Sequence, residues 1–129
     1  MHNNRIYFSQ SPKPTLGVEA ELYTVSKDTF NLYLGAPAIL DTFADDIHVK
    51  EELLECIVEV NTKICNDVAE VLSDLTNTIV EVQKVVNVKY MELVSIGTHP
   101  FAFWKDSTIT SRIGILILWK ECNGPFVGL

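Results

Sequence analysis

Basic residues are scarce in this chain: 10 Lys and Arg stand against 17 Asp and Glu, a formal net charge of -7 at pH 7. A nucleic-acid or anionic-membrane binder needs a basic footprint, so this balance excludes both as general partners and leaves room only for a local basic pocket. Cysteine is equally sparse. Cys56, Cys65 and Cys122 are odd in number and lack CxxC spacing, which points away from a disulfide framework or a zinc site and fits a reducing cytoplasm. The first residues, MHNNRIYFSQSPKPT, hold no long apolar run and are broken by Pro12 and Pro14. Residues 1–14 therefore read as an exposed lead-in, neither a signal peptide nor a membrane span. Internal repeats, low-complexity tracts and interdomain linkers are also missing, so 129 residues at 47% hydrophobic and 21% charged read as a single domain over 1–129.

Within that domain the stretch Gly17-Val18-Glu19-Ala20-Glu21-Leu22 puts two carboxylates two residues apart in an apolar, strand-like run. Successive side chains of a strand point to opposite faces, so Leu16, Val18, Ala20 and Leu22 share one face and Glu19, Glu21 and Tyr23 the other. The two carboxylates then lie about 7 Å apart along the strand, close enough to converge on one divalent cation. An ordinary solvated strand face has the same pattern. Leu53 to Thr62 is a second strand signal, with Cys56, Val58, Val60 and Thr62 on one side and Glu55, Ile57, Glu59 and Asn61 on the other. Glu59 sits in a β-branched, mostly apolar setting, where an ionised carboxylate needs a cation or hydrogen bonds to compensate it.

The remaining segments supply the frame. Ser26 to Thr29 is turn-forming, and Phe30, Leu32 and Leu34 alternate with Asn31 and Tyr33 as a hairpin partner for the first strand. Residues 35–48 read as an irregular or short helical connection with Pro37 near a helix start, and the Asp45-Asp46 pair is a solvated one. Val68, Val71, Leu72, Leu75, Ile79, Val82 and Val86 recur at helical spacing, Asp67 and Glu70 have the spacing of a capping box, and the helix runs to about Tyr90. Glu92 to Thr98 reads as a further strand, ending in His99-Pro100 and three aromatics. A His so placed is either structural or part of a binding site. Ile113 to Trp119 is an apolar run that strand and buried helix fit equally. Together these give an α+β fold, an antiparallel sheet with a long helix packed on one face.

Four pieces in order resemble the N-terminal portion of the glutamate-cysteine ligase type 2 (carboxylate-amine ligase) family. They are Thr15-Leu16-Gly17-Val18-Glu19-Ala20-Glu21-Leu22, Val58-Glu59-Val60-Asn61-Thr62, the long helix, and Gly97-Thr98-His99-Pro100-Phe101-Ala102-Phe103-Trp104. The resemblance covers residues 15 to about 112 and implies a glutamine-synthetase-like catalytic fold, here incomplete. It implies an ATP-dependent ligase: phosphoryl transfer activates the side-chain carboxylate of glutamate, and the amine of cysteine, or another amine, then displaces phosphate. Magnesium and ATP are the implied cofactors, since magnesium takes carboxylate and phosphate oxygens.

Carried over to this sequence, Glu19, Glu21 and Glu59 are the implied metal ligands. Asn61, Thr62, His99 and Arg112 are the implied substrate or nucleotide contacts, and no residue is assigned to catalysis itself. The family commonly has a third Glu where this chain has Ala20, on the opposite face. Family chains also run longer, with a Gly-x-His-Val-His-Val-Gly strand soon after this point, whereas residues 113–129 are a divergent apolar tail. A truncated ligase without unaided turnover is therefore the expectation. The competing expectation is a non-catalytic remnant or interaction module that associates with another chain, or with its own copies, through an open sheet edge and the apolar tail.

Overall fold

The computed structural model describes residues 11–111. The sheet is built on β1 (Glu19–Ser26), because this eight-residue strand is long enough to offer a different partner to each of its edges. β3 (Ile57–Asn61) pairs antiparallel with its first part, Glu19 opposite Asn61 through Tyr23 opposite Ile57. β4 (Met91–Val94) pairs antiparallel with its second part, Tyr23 opposite Val94 through Ser26 opposite Met91. β2 (Val49–Glu51) adds to the outer edge of β3, giving the order β2-β3-β1-β4. Beyond Glu19 the chain stays tied: Leu16 and Cys65 exchange both backbone hydrogen bonds, each at 2.8 Å.

One face of this sheet is the core. Leu22, Val49, Val58 and Val60 are buried against Val82 and Val86 of α2 (Val68–Val88), and Ala36 and Ile39 of α1 (Ala36–Leu40) close the same layer. Val residues dominate because a pleated, half-buried surface suits β-branched side chains. Inside it, buried Thr24 donates its hydroxyl to the Tyr33 carbonyl and accepts from the Gly35 N–H. Gly35 is there because of space: a Cβ at this position would stand 2.5 Å from the Met91 sulfur and 3.2 Å from the Thr24 Cβ.

The first half of the capping box that starts α2 forms as the spacing predicts, and the return bond reaches one residue further back, to Asn66. The Asp67 carboxylate accepts from the Glu70 N–H at 2.9 Å, and the Glu70 carboxylate accepts in turn from the Asn66 N–H at 2.7 Å. The helix ends at Val88, two residues before Tyr90, which holds the left-handed φ of 56° that a glycine would adopt more cheaply. Not all of the predicted stripe is core. Val68 and Leu72 are 72% and 67% exposed, because a 21-residue helix is about 32 Å long and overhangs strands of eight residues or fewer.

Three expectations about strands change. The Phe30 to Leu34 partner is reduced to a single bridge between Val25 and Leu32, since Phe30 takes a left-handed φ of 56° and Gly35 turns the chain into α1 straight afterwards. The second strand starts at Ile57, four residues later than expected, because the Ile57 N–H bonds the Leu54 carbonyl in a tight turn. The strand after α2 covers Met91–Val94 and does not extend to Thr98. β2 carries two charged residues in three and shows no alternation in sequence. The apolar run Ile113 to Trp119, the tail to Leu129, Cys122, Arg112 and most of the lead-in lie outside the described residues. Among the described residues no helix is long and apolar enough to cross a membrane.

Candidate active site

Strand register decides which of the acidic residues meet. Residues opposite one another in an antiparallel ladder point to the same face, and Glu21 stands directly opposite Glu59 while Glu19 stands opposite Asn61. Since Leu22, Val58 and Val60 line the core, Glu19, Glu21, Glu59 and Asn61 all belong to the other face. β2 extends the same rows: Lys50 is opposite Glu59, and the Asn61 N–H bonds the His48 carbonyl at 2.7 Å. The wall thus reads, from β2 across to β1, His48-Asn61-Glu19 in one row and Lys50-Glu59-Glu21 in the next.

A fourth carboxylate joins it. Glu52, just past the end of β2, returns by alternation to this face and hydrogen-bonds the Glu59 side chain. Its carboxyl is held above the usual range by burial first, then by that bond to Glu59 and by the negative charge of Glu21 and Glu59. Acceptance of the Leu53 N–H at 2.9 Å opposes the rise in part. Glu59 is steered from its other side as well, since the Asn61 Nδ2 donates to its Oε1 at 2.6 Å. Asn61 itself is only 7% exposed, and among the described residues its Oδ1 accepts no hydrogen bond.

Beyond Asn61 the face opens into a groove of about 1090 Å³ whose lining includes Glu19, Lys50, Asn61, Thr62 and Lys63. Chemically the wall offers hard anionic oxygens, the donor set that magnesium and other oxygen-seeking cations take. Among the described residues no three His, Cys, Asp or Glu side chains are drawn together tightly enough to enclose a metal ion. Glu19 and Glu21 are exposed on this face.

The matching family model, Glutamate-cysteine ligase family 2 (GCS2), covers residues 15–113. The chain belongs to the glutamate-cysteine ligase family 2. A relative in Mycobacterium sp. (strain KMS), named for glutamate-cysteine ligase 2-1, is 40% identical over 108 residues, 84% of this chain and 29% of that protein. One in Mycolicibacterium smegmatis (strain ATCC 700084 / mc(2)155), also named for glutamate-cysteine ligase 2-1, is 39% identical over the same shares. One in Mycobacterium tuberculosis (strain ATCC 25177 / H37Ra), named for glutamate-cysteine ligase 2, is 40% identical over 82% of this chain and 28% of that protein. The chain spans under a third of the length of the curated relatives it matches.

Of the other residues that the family resemblance singles out, Thr62 lines the groove with Glu19, His99 sits apart from the carboxylates and Arg112 lies outside the described residues. Thr62 closes the ladder: its N–H bonds the Val18 carbonyl and its hydroxyl oxygen accepts from the Val18 N–H at 3.0 Å. His99 Nε2 lies 2.8 Å from the Phe30 carbonyl and its Nδ1 accepts from the Ala102 N–H at 3.1 Å. That pattern fixes the neutral Nε2-protonated tautomer. It ties His99 to the turn beyond Ser26, seven residues and about 23 Å along β1 from Glu19. Arg112 lies outside the described residues. Glu52 and Lys50 escaped the sequence reading. Their signal was the alternation His48-x-Lys50-x-Glu52, masked by the charged Glu51 between the last two.

Proposed function

We propose that the carboxylate face holds magnesium and, with it, the phosphates of ATP, and that the chain contributes this wall to a ligase joining the side-chain carboxylate of glutamate to the amine of cysteine. Membership in the glutamate-cysteine ligase family 2 supports the reaction class, and the family resemblance supports a glutamine-synthetase-like sheet. The observation that carries the site is the pairing of Glu21 with Glu59 across the β1–β3 ladder, flanked by Glu19 and by the Glu52 carboxyl hydrogen-bonded to Glu59.

In such a ligase a glutamate carboxylate oxygen forms a bond to the terminal phosphorus of ATP as the bond to the ADP oxygen breaks. The amine then attacks the activated carbonyl, loses a proton and expels phosphate. Both steps join or separate negatively charged groups, so positioning and charge neutralisation are the main demands on the protein. Bound magnesium supplies that neutralisation at the phosphate oxygens. Glu19, Glu21, Glu52 and Glu59 are the residues that would hold it. Asn61 keeps the Glu59 carboxylate aimed along the wall through its Nδ2 donation, and the sheet keeps opposite residues in fixed register.

The test is titration calorimetry with magnesium and ATP on the wild type and on a Glu21→Gln, Glu59→Gln double variant, whose carboxamides keep shape but lose charge. The wild type binds and the variant binds roughly tenfold or more weakly, the loss expected when charged ligands become neutral. Equal heats in the two proteins overturn the site.

A further inference from the structure

Glu52 is held on the wall by an indirect route. Its carboxylate turns back on its own backbone and accepts the Leu53 N–H at 2.9 Å, while also hydrogen-bonding the Glu59 side chain. The Glu52 carbonyl and the Leu53 N–H are the two polar ends of one planar peptide unit. A contact that fixes this carbonyl therefore sets the direction of the N–H, and with it the place of the carboxylate. That contact comes from the far end of the described chain, where the Thr110 hydroxyl donates to the Glu52 carbonyl across 58 residues of sequence.

The surroundings of Thr110 favour this contact. Residues 108–110 run antiparallel to residues 53–55: the Glu55 N–H bonds the Thr108 carbonyl and the Thr110 N–H bonds the Leu53 carbonyl, each at 2.9 Å, with Leu54 bridged to Ile109 between them. Thr110 is only 8% exposed, so water competes little for its hydroxyl. The last pair of the β2–β3 ladder is Glu51 opposite Val58, so the ladder stops one residue short of Glu52. We propose that Thr110 is a positioning residue of the carboxylate wall, which acts through the peptide unit between Glu52 and Leu53 to keep the Glu52 carboxylate beside Glu59. A hydrogen bond on the carbonyl also polarises the peptide and strengthens its N–H as a donor, so one contact both aims and tightens the hold. The hold on Glu52 stands on the geometry alone, and its effect on magnesium rests on the reading of the wall given above.

Two variants test this: Thr110→Val keeps the shape and removes the hydroxyl, and Thr110→Ser keeps the hydroxyl. Amide hydrogen exchange of the isotope-labelled, metal-free chain reads the hold itself. Leu53 exchanges roughly fivefold or more faster in Thr110→Val than in the wild type and near the wild-type rate in Thr110→Ser, with the core amides of Leu22 and Val60 unmoved. Equal Leu53 rates in the wild type and Thr110→Val, the same rise in both variants, or an equal rise at Leu22 and Val60 each overturn the proposal, whatever the wall binds. Titration calorimetry with magnesium and ATP reads the consequence. Thr110→Val weakens binding about threefold or more, and in a Glu52→Ala background the same substitution costs nothing further, because the side chain it positions is gone. Losses that simply add show a general structural role and overturn the proposal. If the Glu21→Gln, Glu59→Gln protein binds as the wild type does, the wall reading falls, and the Leu53 exchange rates alone decide the role of Thr110.

Discussion

Glu52 shows how a single side chain can set the pH behaviour of this face. Burial and its neighbours Glu59 and Glu21 push its carboxyl up, so the folded protein holds a proton there more tightly than the unfolded chain does. Its contribution is therefore fully favourable below the ordinary glutamate pKa of about 4.3 and is lost as pH rises through the raised folded value. Glu52→Gln mimics the protonated form. In the metal-free protein, thermal melts are expected to show the variant above the wild type at pH 7.5, with the gap closing toward pH 4. The same substitution weakens the magnesium-ATP heats. A difference between variant and wild type that stays the same at both pH values contradicts the assignment. Glu19, Glu21 and Glu59 were legible because each stands in an apolar alternating run. Glu52 was not, because beside Glu51 it looks like any solvated charge.

Among the elements, the start of α2 was legible and most strand ends were not. Asp67 and Glu70 act within one helical turn, so sequence spacing alone specifies the bond from the Glu70 N–H to the Asp67 carboxylate. Asp67→Ala is expected to cost about 1 kcal/mol in urea unfolding, with the urea dependence unchanged. Asp74, in the second turn, locks that end to the sheet by accepting the Lys63 N–H at 2.8 Å and facing the Lys63 ammonium. These contacts hold its carboxyl below the usual range, the backbone bond foremost. Its stabilisation is present above the unfolded pKa of about 3.9 and lost as pH falls through the depressed folded value. The strands β2, β3 and β4 have three to five residues each. At that length a partner's edge, rather than propensity, determines where pairing stops.

For the whole molecule, the helix layer and the acidic face have separate tasks. Core packing of Val82 and Val86 on Leu22, Val58 and Val60 fixes the register of β1 against β3, and that register sets Glu21 against Glu59. A cation bound there holds only the folded chain, so it should raise stability by mass action, about 2.7 kcal/mol at a hundredfold excess over its dissociation constant. Magnesium with ATP is expected to raise the melting temperature of the wild type, EDTA to reverse it, and the Glu21→Gln, Glu59→Gln protein not to respond. An equal rise in both proteins would place the cation elsewhere.

The sequence by itself determined the α+β class, the long capped helix, the two-faced character of β1 and the family, because each rests on local periodicity or on motifs read in order. Only the tertiary structure decided that Glu21 meets Glu59, that Glu52 and Lys50 join them, that Asn61 is buried with an oxygen unpaired among the described residues, and that His99 is spent on the Phe30 turn. Those are relations between different strands, 38 residues apart in the chain for Glu21 and Glu59, or between a loop and a distant turn. No local pattern encodes them, because register is set where the strands pack together.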